Sequence, residues 1–426
     1  MENWDQNLLV ESTEDRRVVN IADVIMGGGK TSAAIRYINQ SPPDEKILFV
    51  SPYNKEGDRI ERACQQKDIT ALEEHRGAKM NDLRYRVFSG RSAAGTHALL
   101  SMITDDILER ISEQNYTLII DEAVDVTRTA SRKDISTFNY IMLHDGFLVD
   151  EETNVVSFAN EKEEAACRAF SSEFTDLVTS GNVQYRNSRM VVWLFPLRIL
   201  AAFKRILMLT YMVEGSTAYY YFLGNGYEAN MLGVRKTEDG GYEFCPKDQA
   251  DKVALDLKDK IHIVENRVYN KIGDADNSLT SGWYQKNKRE QTKEYSVVTK
   301  KVRNVFKNYF RCRPRDFFWT CYKEYEEDFA DKNIKKRFLS CNMRATNEWA
   351  NCHYLAYPIN FNLHPDVYAY FKSLGYTMDK DKYSLSMMVQ WVWRSAIRKG
   401  EEIWLYVPSA RMRGLFTDWL EEVSGG

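Results

Sequence analysis

The sequence predicts an α/β protein built on parallel sheets with helices on both faces. Three observations carry this expectation. Short apolar runs of strand length recur along the chain, each bounded by polar or turn residues. That is the mark of strands buried on both faces. Longer stretches of helical pattern lie between them, and regular alternation of strand and helix implies parallel crossovers. One run, 18–26, leads straight into glycines and then a helical stretch.

In chain order, the first strands are expected at 18–26, 46–51, 117–120 and 206–210, with helices such as 31–39 and 98–113 between them. The stretch 151–187 is polar and helix-patterned with no strand signal, so a helical insertion is expected there. Segment 224–241 is glycine-rich and suits a hairpin or an exit loop. A second series of strands is expected at 260–265, 316–321, 354–357 and 403–407. The boundary between the two lobes is placed near residue 230, within about 15 residues. The first lobe is then 1–230 and the second 231–426.

Composition bounds the function. A chain of 426 residues, 44% hydrophobic and 28% charged, suits two or three globular domains. The net charge of −3 excludes a polycation, but not a local cleft that grips nucleic acid. The seven cysteines are odd in number and show no Cys-x-x-Cys spacing. This argues against a disulfide framework or zinc knuckle and fits a reducing cytoplasm. The N-terminus lacks the basic-then-apolar pattern of a signal peptide. The apolar region 190–212 is broken by Pro196, Arg198, Lys204 and Arg205. It reads as a buried helix followed by a strand, so no membrane partner is expected.

The chemistry concentrates in two places. Gly27, Gly28 and Gly29 precede Lys30 and Thr31. Glycines let backbone N–H groups curl around phosphate oxygens, and the helix start adds its positive dipole end. Lys30 would reach the outer phosphates and the Thr31 hydroxyl would bind Mg²⁺. Val24 stands where the full G-x-x-x-x-G-K-[ST] pattern has its first glycine. The plain alternative is a glycine turn beside a surface lysine. The second place is the run 117–120, which ends in Asp121 and Glu122. Side chains at the carboxyl end of a parallel strand face the ligand crevice. There Asp121 would hold Mg²⁺ and Glu122 would act as general base on the attacking water. The plain alternative here is a solvated acidic turn.

Together, Gly27–Thr31 and the Asp121-Glu122-Ala123-Val124 run resemble motifs I and II of superfamily 2 helicases, the DEAD/DEAH-like group. The likeness is strongest to helicases of bacteriophages and prophages. Further segments resemble that family's motifs in order. They are Phe49 to Tyr53, Gly95 to His97, Leu209 to Tyr211, Arg344 to Glu348 and Gln390 to Arg398. The resemblance implies two tandem RecA-like P-loop lobes with ATP and Mg²⁺ in the cleft between them. It also implies that Gln390, Arg394 and Arg398 complete the catalytic set from the second lobe. Arginine suits charge building on a γ-phosphate. The family spaces its two arginines three apart, whereas here they are four apart. On one helix either spacing shares a face, which leaves the identity of the finger open. No glutamine-bearing adenine motif precedes residue 26, so ATP follows from the resemblance alone.

The nucleic-acid contacts expected from the same motifs are Pro52, Tyr53, Arg59, Thr96, His97, Arg344 and Thr346. Arg59 suits a phosphate contact that carries no sequence information. For His97 a hydrogen-bonded structural role is expected rather than a metal, because no ligand-spaced histidine cluster exists. Span 283–315 interleaves lysines and arginines with aromatic residues. It reads either as a strand-binding surface or as helices with a basic face and an aromatic core face. The expected activity is an ATP-driven helicase or translocase of phage replication or recombination. Single-stranded or forked DNA is the favoured partner, with RNA and replication or recombination proteins as other candidates. The expected location is the host cytoplasm. The alternatives are a terminase-like packaging ATPase and a nucleotide-gated DNA-binding module.

Overall fold

The computed structural model describes residues 8–74, 78–186, 189–251, 256–329, 332–341 and 348–425. The chain divides into two compact units. The first comprises Met1–Val24, Gly29–Ala250 and Leu363–Met378, and the second comprises Ile25–Gly28, Asp251–Asn362 and Asp379–Gly426.

The first unit is organised by an eight-stranded sheet. Its strands are β1 (Arg17–Asp23), β2 (Lys46–Ser51), β3 (Ile69–Ala71), β4 (Ser92–Thr96), β5 (Tyr116–Asp121), β11 (Arg205–Thr210), β12 (Tyr227–Lys236) and β13 (Tyr242–Pro246), the numbers between belonging to the insertion below. The spatial order is β13-β12-β1-β11-β5-β2-β4-β3. All neighbours pair in parallel except β13, which pairs antiparallel with β12 at the edge. The four strands expected in this lobe all form. Their apolar side chains are covered on both faces: Leu48, Phe49, Ile119, Leu207 and Leu209 are each at most 1% exposed. Helix α1 (Lys30–Gln40) buries Ala33, Ala34, Tyr37 and Ile38 against this core.

Between β5 and β11 lies an insertion that departs from the expected helical one. Beside helices Arg132–Met142, Glu161–Phe170 and Ser172–Thr179 it holds five short strands. The strands β6 (Thr127–Thr129), β9 (Val183–Arg186) and β10 (Arg189–Leu194) form an antiparallel sheet in the order β6-β10-β9, and β7 (Phe147–Val149) pairs with β8 (Val156–Phe158). The insertion has its own core around Phe138, Phe147, Cys167, Phe174 and Val178. Strands of three residues are too short to show a period-two pattern, so the helices dominated the sequence signal. The region 190–212 accordingly starts as strand β10, not as helix, with only Leu197–Ala201 helical before β11.

The boundary expected near residue 230 falls inside β12. The glycine-rich segment is indeed part of a hairpin, and that hairpin extends the first sheet, so the contacts change unit at Ala250 instead. The chain also returns to the first unit late. Helix Pro365–Ser373 buries Phe371 with its ring centroid 6.1 Å from that of Tyr220. Just beyond it, Tyr376 donates its hydroxyl to Leu223 O at 3.1 Å.

The second unit is built on an all-parallel sheet of β14 (Ile261–Ile263), β15 (Phe317–Trp319), β16 (Tyr354–Ala356) and β17 (Ile403–Tyr406), in the order β14-β17-β16-β15. All four coincide with expected strands. The basic–aromatic span folds as helices Ser281–Arg289 and Lys293–Asn304 followed by a π-helical turn, Val305–Tyr309. Its aromatic residues mostly serve the core. Tyr284 is fully buried and stacks on Tyr325 at 5.2 Å, and Phe306 stacks on Phe317 at 4.0 Å. Tyr309 stays 43% exposed beside exposed Lys307 and Arg311. Among the described residues no helix is long and apolar enough to cross a membrane.

Candidate nucleotide site

The carboxyl ends of β1, β11, β5, β2 and β4 lie along one edge of the first sheet, because these strands are parallel. After β1 the chain turns through Val24 to Gly29 into α1. Val24 N–H donates to Thr210 O at 3.1 Å, and Gly28 N–H donates to Ile25 O at 3.0 Å. Gly27 and Gly29 have φ of 81° and 87°, in the left-handed region that favours glycine. Gly29 has a second reason to lack a side chain, since a Cβ there would lie 2.2 Å from the Tyr242 ring. Among the described residues no side chain makes a capping hydrogen bond at the start of α1, and no acidic residue stands in its first turn. The first-turn amides, Lys30 and Thr31 included, thus keep the anion-attracting character of a helix N-terminus.

Lys30 folds back to donate its ammonium to Val24 O. Burial lowers its pKa to about 8, against the pull of Asp121, Asp23 and Glu122. Asp121 ends β5. Burial, then Glu122 and Glu56, raises its carboxyl to about 7, against Lys30 and Arg59. Glu122 follows with φ 63° and donates its N–H to Leu209 O at 2.9 Å. A glutamate in the left-handed region costs about 1–2 kcal/mol, and such strain concentrates at functional sites. Among the described residues no hydrogen bond reaches the buried Glu122 Oε2.

Asp23, at the end of β1, joins this group and was not singled out from the sequence. Burial raises its pKa, against the pull of Lys247, of the nearby Val213 and Met212 amides and of Lys30. Its Oδ1 is buried without a hydrogen-bond partner among the described residues, while Lys247 donates to its carbonyl at 2.8 Å. The rule that marks Asp121, a carboxylate at the carboxyl end of a parallel strand, could have found it. Met212, just beyond β11, also has a positive φ of 57°. The end of β11, Leu209 and Thr210, lies between β1 and the acidic strand β5, since β11 pairs with both.

The raised carboxyl has a stability consequence. With a folded pKa of about 7 and an unfolded value of 3.8, Asp121 keeps in the folded state a proton that the unfolded chain releases. Its ionisation therefore destabilises the fold, by an amount that grows as pH rises between those two values and levels above about 7. Without nucleotide and in a chelator, Asp121→Asn should remove this slope. Wild-type Tm should fall relative to the variant by about 5 °C from pH 5 to pH 8. Parallel Tm–pH curves would contradict the burial of an ionisable Asp121.

The remaining candidates divide by position. Pro52 and Tyr53 follow β2, with Tyr53 37% exposed and its carbonyl accepting Ser51 Oγ–H at 2.9 Å. Arg59 is exposed, pairs with Glu56 at 2.7 Å, and draws the Asp121 pKa down. Thr96 caps the short helix His97–Leu100, its hydroxyl accepting Leu99 N–H at 3.3 Å. His97 donates Nε2–H to Asp121 O at 3.0 Å, so it reaches past β2 to the acidic strand. These five share the strand-end edge with Lys30, Thr31, Asp121 and Glu122. Arg344 and Thr346 lie outside the described residues.

In the second unit, Gln390 is half-buried on helix Lys380–Val392. That helix stops before the two arginines, which corrects the expectation of one shared helical face. Ser395, in extended geometry, starts a separate 3₁₀ turn, Ala396–Lys399, closed by Gly400 at φ 76°. Arg394 is 6% exposed, whereas Arg398 is exposed.

Fold and site together define an α/β protein whose first sheet carries a glycine-led turn into a helix and a strand-end carboxylate pair, followed by a parallel-sheet unit. Residues 255–420 match the family described as the YonV C-terminal Rossmann-like domain. The SPbeta prophage-derived uncharacterized protein YonV of Bacillus subtilis (strain 168) is 34% identical over 416 residues, covering 95% of this chain and 98% of that protein. The chain belongs to the YonV family. Among solved structures, Xpd4 of S. tokodaii is similar over 95% of this chain and 94% of its own, at 12% identity and a TM-score of 0.46.

Proposed function

We propose that this protein is an ATP- and Mg²⁺-dependent nucleic-acid motor, a helicase or translocase serving phage replication or recombination. One observation carries the reading: Lys30, at an uncapped glycine-led helix start, is electrostatically coupled to the Asp121–Glu122 pair. The residues fit a metal-bound nucleotide. Gly27 and Gly29 adopt the left-handed backbone that a curled phosphate loop needs, and a buried carboxylate oxygen of Glu122 has no internal hydrogen-bond partner among the described residues. Gly27, Gly28, Gly29 and Lys30 bind the phosphates. Thr31 and Asp121 would hold Mg²⁺, which when bound would neutralise phosphate charge. Glu122 orients the attacking water and accepts its proton.

Gln390 and the motif-like arginines assist turnover from the second unit. Exposure favours Arg398 as the arginine that meets phosphate charge, while buried Arg394 maintains its own unit. Arg398→Ala should lower kcat and leave the unfolding midpoint unchanged, whereas Arg394→Ala should lower the midpoint by several degrees. The opposite pattern would exchange their roles. Nucleic acid would run along the strand-end edge over Pro52, Tyr53, Arg59, Thr96 and His97.

The decisive experiment is the ATPase rate with single-stranded, duplex and forked DNA and with RNA. Single-stranded or forked DNA should raise it about tenfold or more, and the effect should fade with salt as phosphate contacts are screened. A rate indifferent to every nucleic acid would sink the motor reading.

A further inference from the structure

The first unit has an open cavity of about 380 Å³ along α1, whose lining includes Ser32, Ile35, Arg36 and Asn39 of the helix and Gly241 and Tyr242 of the β12–β13 hairpin. Its position is informative. Ser32 is the residue after Thr31, so one end of the cavity lies in the first turn of α1, next to the glycine-led loop, and the other end reaches Gln40 and Gln66. In the sheet, β5 with Asp121 lies on one side of β1, beyond β11, and the β12–β13 hairpin lies on the other. A nucleotide whose outermost phosphate faces Asp121 and Glu122 has its nucleoside end directed away from them, toward that hairpin.

The hairpin is built to hold a ring there. Tyr242 rests on Gly29 so closely that a Cβ on the glycine would be 2.2 Å from ring carbon Cδ1, and it packs against the first unit's core. The turn leading to it is tied down. Arg36 Nη1 contacts Asp239 Oδ2 at 2.9 Å and Thr237 Oγ1 at 3.5 Å, and Gly241 N–H donates to Asp239 Oδ1 at 3.1 Å. Asn39 is already committed, donating to Ala63 O and accepting from Gln66 N, both at 3.1 Å. The cavity thus offers an aromatic ring and an arginine–carboxylate wall.

We propose that this cavity receives the ribose and base of the nucleotide, with Tyr242 as the stacking surface and the Arg36–Asp239 pair as the polar wall beside the sugar. This rests on the phosphate-site reading above. It supplies the nucleoside contact for which no motif precedes residue 26. Every nucleobase presents a π-face, so a tyrosine can hold the base without reading its edge.

The test uses the full chain with Mg²⁺ and calorimetric titration of two probes, ADP and inorganic tripolyphosphate. Tyr242→Ala should weaken ADP about tenfold or more, the scale of one lost base–aromatic stack, and leave tripolyphosphate within about twofold. Tyr242→Phe should keep ADP affinity. Ile35→Trp, which grows a ring into the cavity, should also weaken ADP selectively and stands in if Tyr242→Ala does not fold. Equal weakening of both probes by Tyr242→Ala would mean that the ring only props Gly29, and would overturn the proposal. So would unchanged ADP affinity in Tyr242→Ala or Ile35→Trp. Lys30→Ala should weaken both probes. If it weakens neither, the phosphate-site reading fails, which is a distinguishable result.

Discussion

Glu122→Gln is expected to lower the steady-state ATPase rate by about 10²–10⁴-fold, the scale of a lost general base, while nucleotide affinity stays within about threefold. The substitution keeps size and hydrogen-bonding capacity but removes the ability to take a proton. Glu122 is held in place by its backbone: φ is 63° and its N–H is bonded to Leu209 O at 2.9 Å. Glutamine should therefore occupy the same place. Its negative neighbour disappears from Asp121, so the apo protein should become no less stable. Single-turnover measurements should show ATP bound and not cleaved. A variant that keeps its rate within about threefold would show that Glu122 is not the base, whatever its position.

Lys30→Ala is expected to abolish ATP binding at millimolar nucleotide, a loss of about 100-fold or more in affinity. Two effects act together. The ammonium proposed to meet the outer phosphates is removed, and charge-assisted bonds of this kind are among the strong ones. In addition, Asp23, Asp121 and Glu122 lose the cation to which all three are coupled. The site then presents mainly negative charge to an anionic ligand. Lys30→Arg should not rescue, because a planar fork does not replace a compact ammonium in a tight loop. Equilibrium titration with ATP reads this directly, and affinity within about threefold of wild type would refute the phosphate-loop assignment.

What the sequence disclosed followed from burial. Strands covered on both faces are unbroken apolar runs, so β2, β15, β16 and β17 were legible, while β14, interrupted by half-exposed His262, was marked only by its two flanking isoleucines. The strand β4, Ser-Ala-Ala-Gly-Thr, carries little apolar bulk and was not, although Ala93 and Ala94 are buried. The glycine-led turn into α1 and the strand end at Asp121–Glu122 were legible because each is a local run. Asp23 and Tyr242 were not, because their significance comes from partners remote in sequence: Met212 and Lys247 for the first, Gly29 for the second. The basic–aromatic span supported two readings, and they divide by residue: Tyr284 is buried against Tyr325, whereas Tyr309 stays exposed among basic side chains. The break after Val392 was hidden because helical periodicity does not reveal where a 3₁₀ turn takes over.

Helix Pro365–Ser373 imposes an order on biosynthesis. The first unit is otherwise complete at Ala250, yet the helix that brings Phe371 to Tyr220 belongs to Leu363–Met378. Between residues 250 and 378, at about 5–20 residues per second, the nascent first unit waits roughly 6–25 s with that socket open. A fragment cut to 255–420 would carry the helix away from its seat and expose Phe371. One proteolytic nick after 250 would release neither unit whole, because the polypeptide still crosses back through 363–378. The two units are stitched rather than strung, and neither can be made alone by truncating the gene.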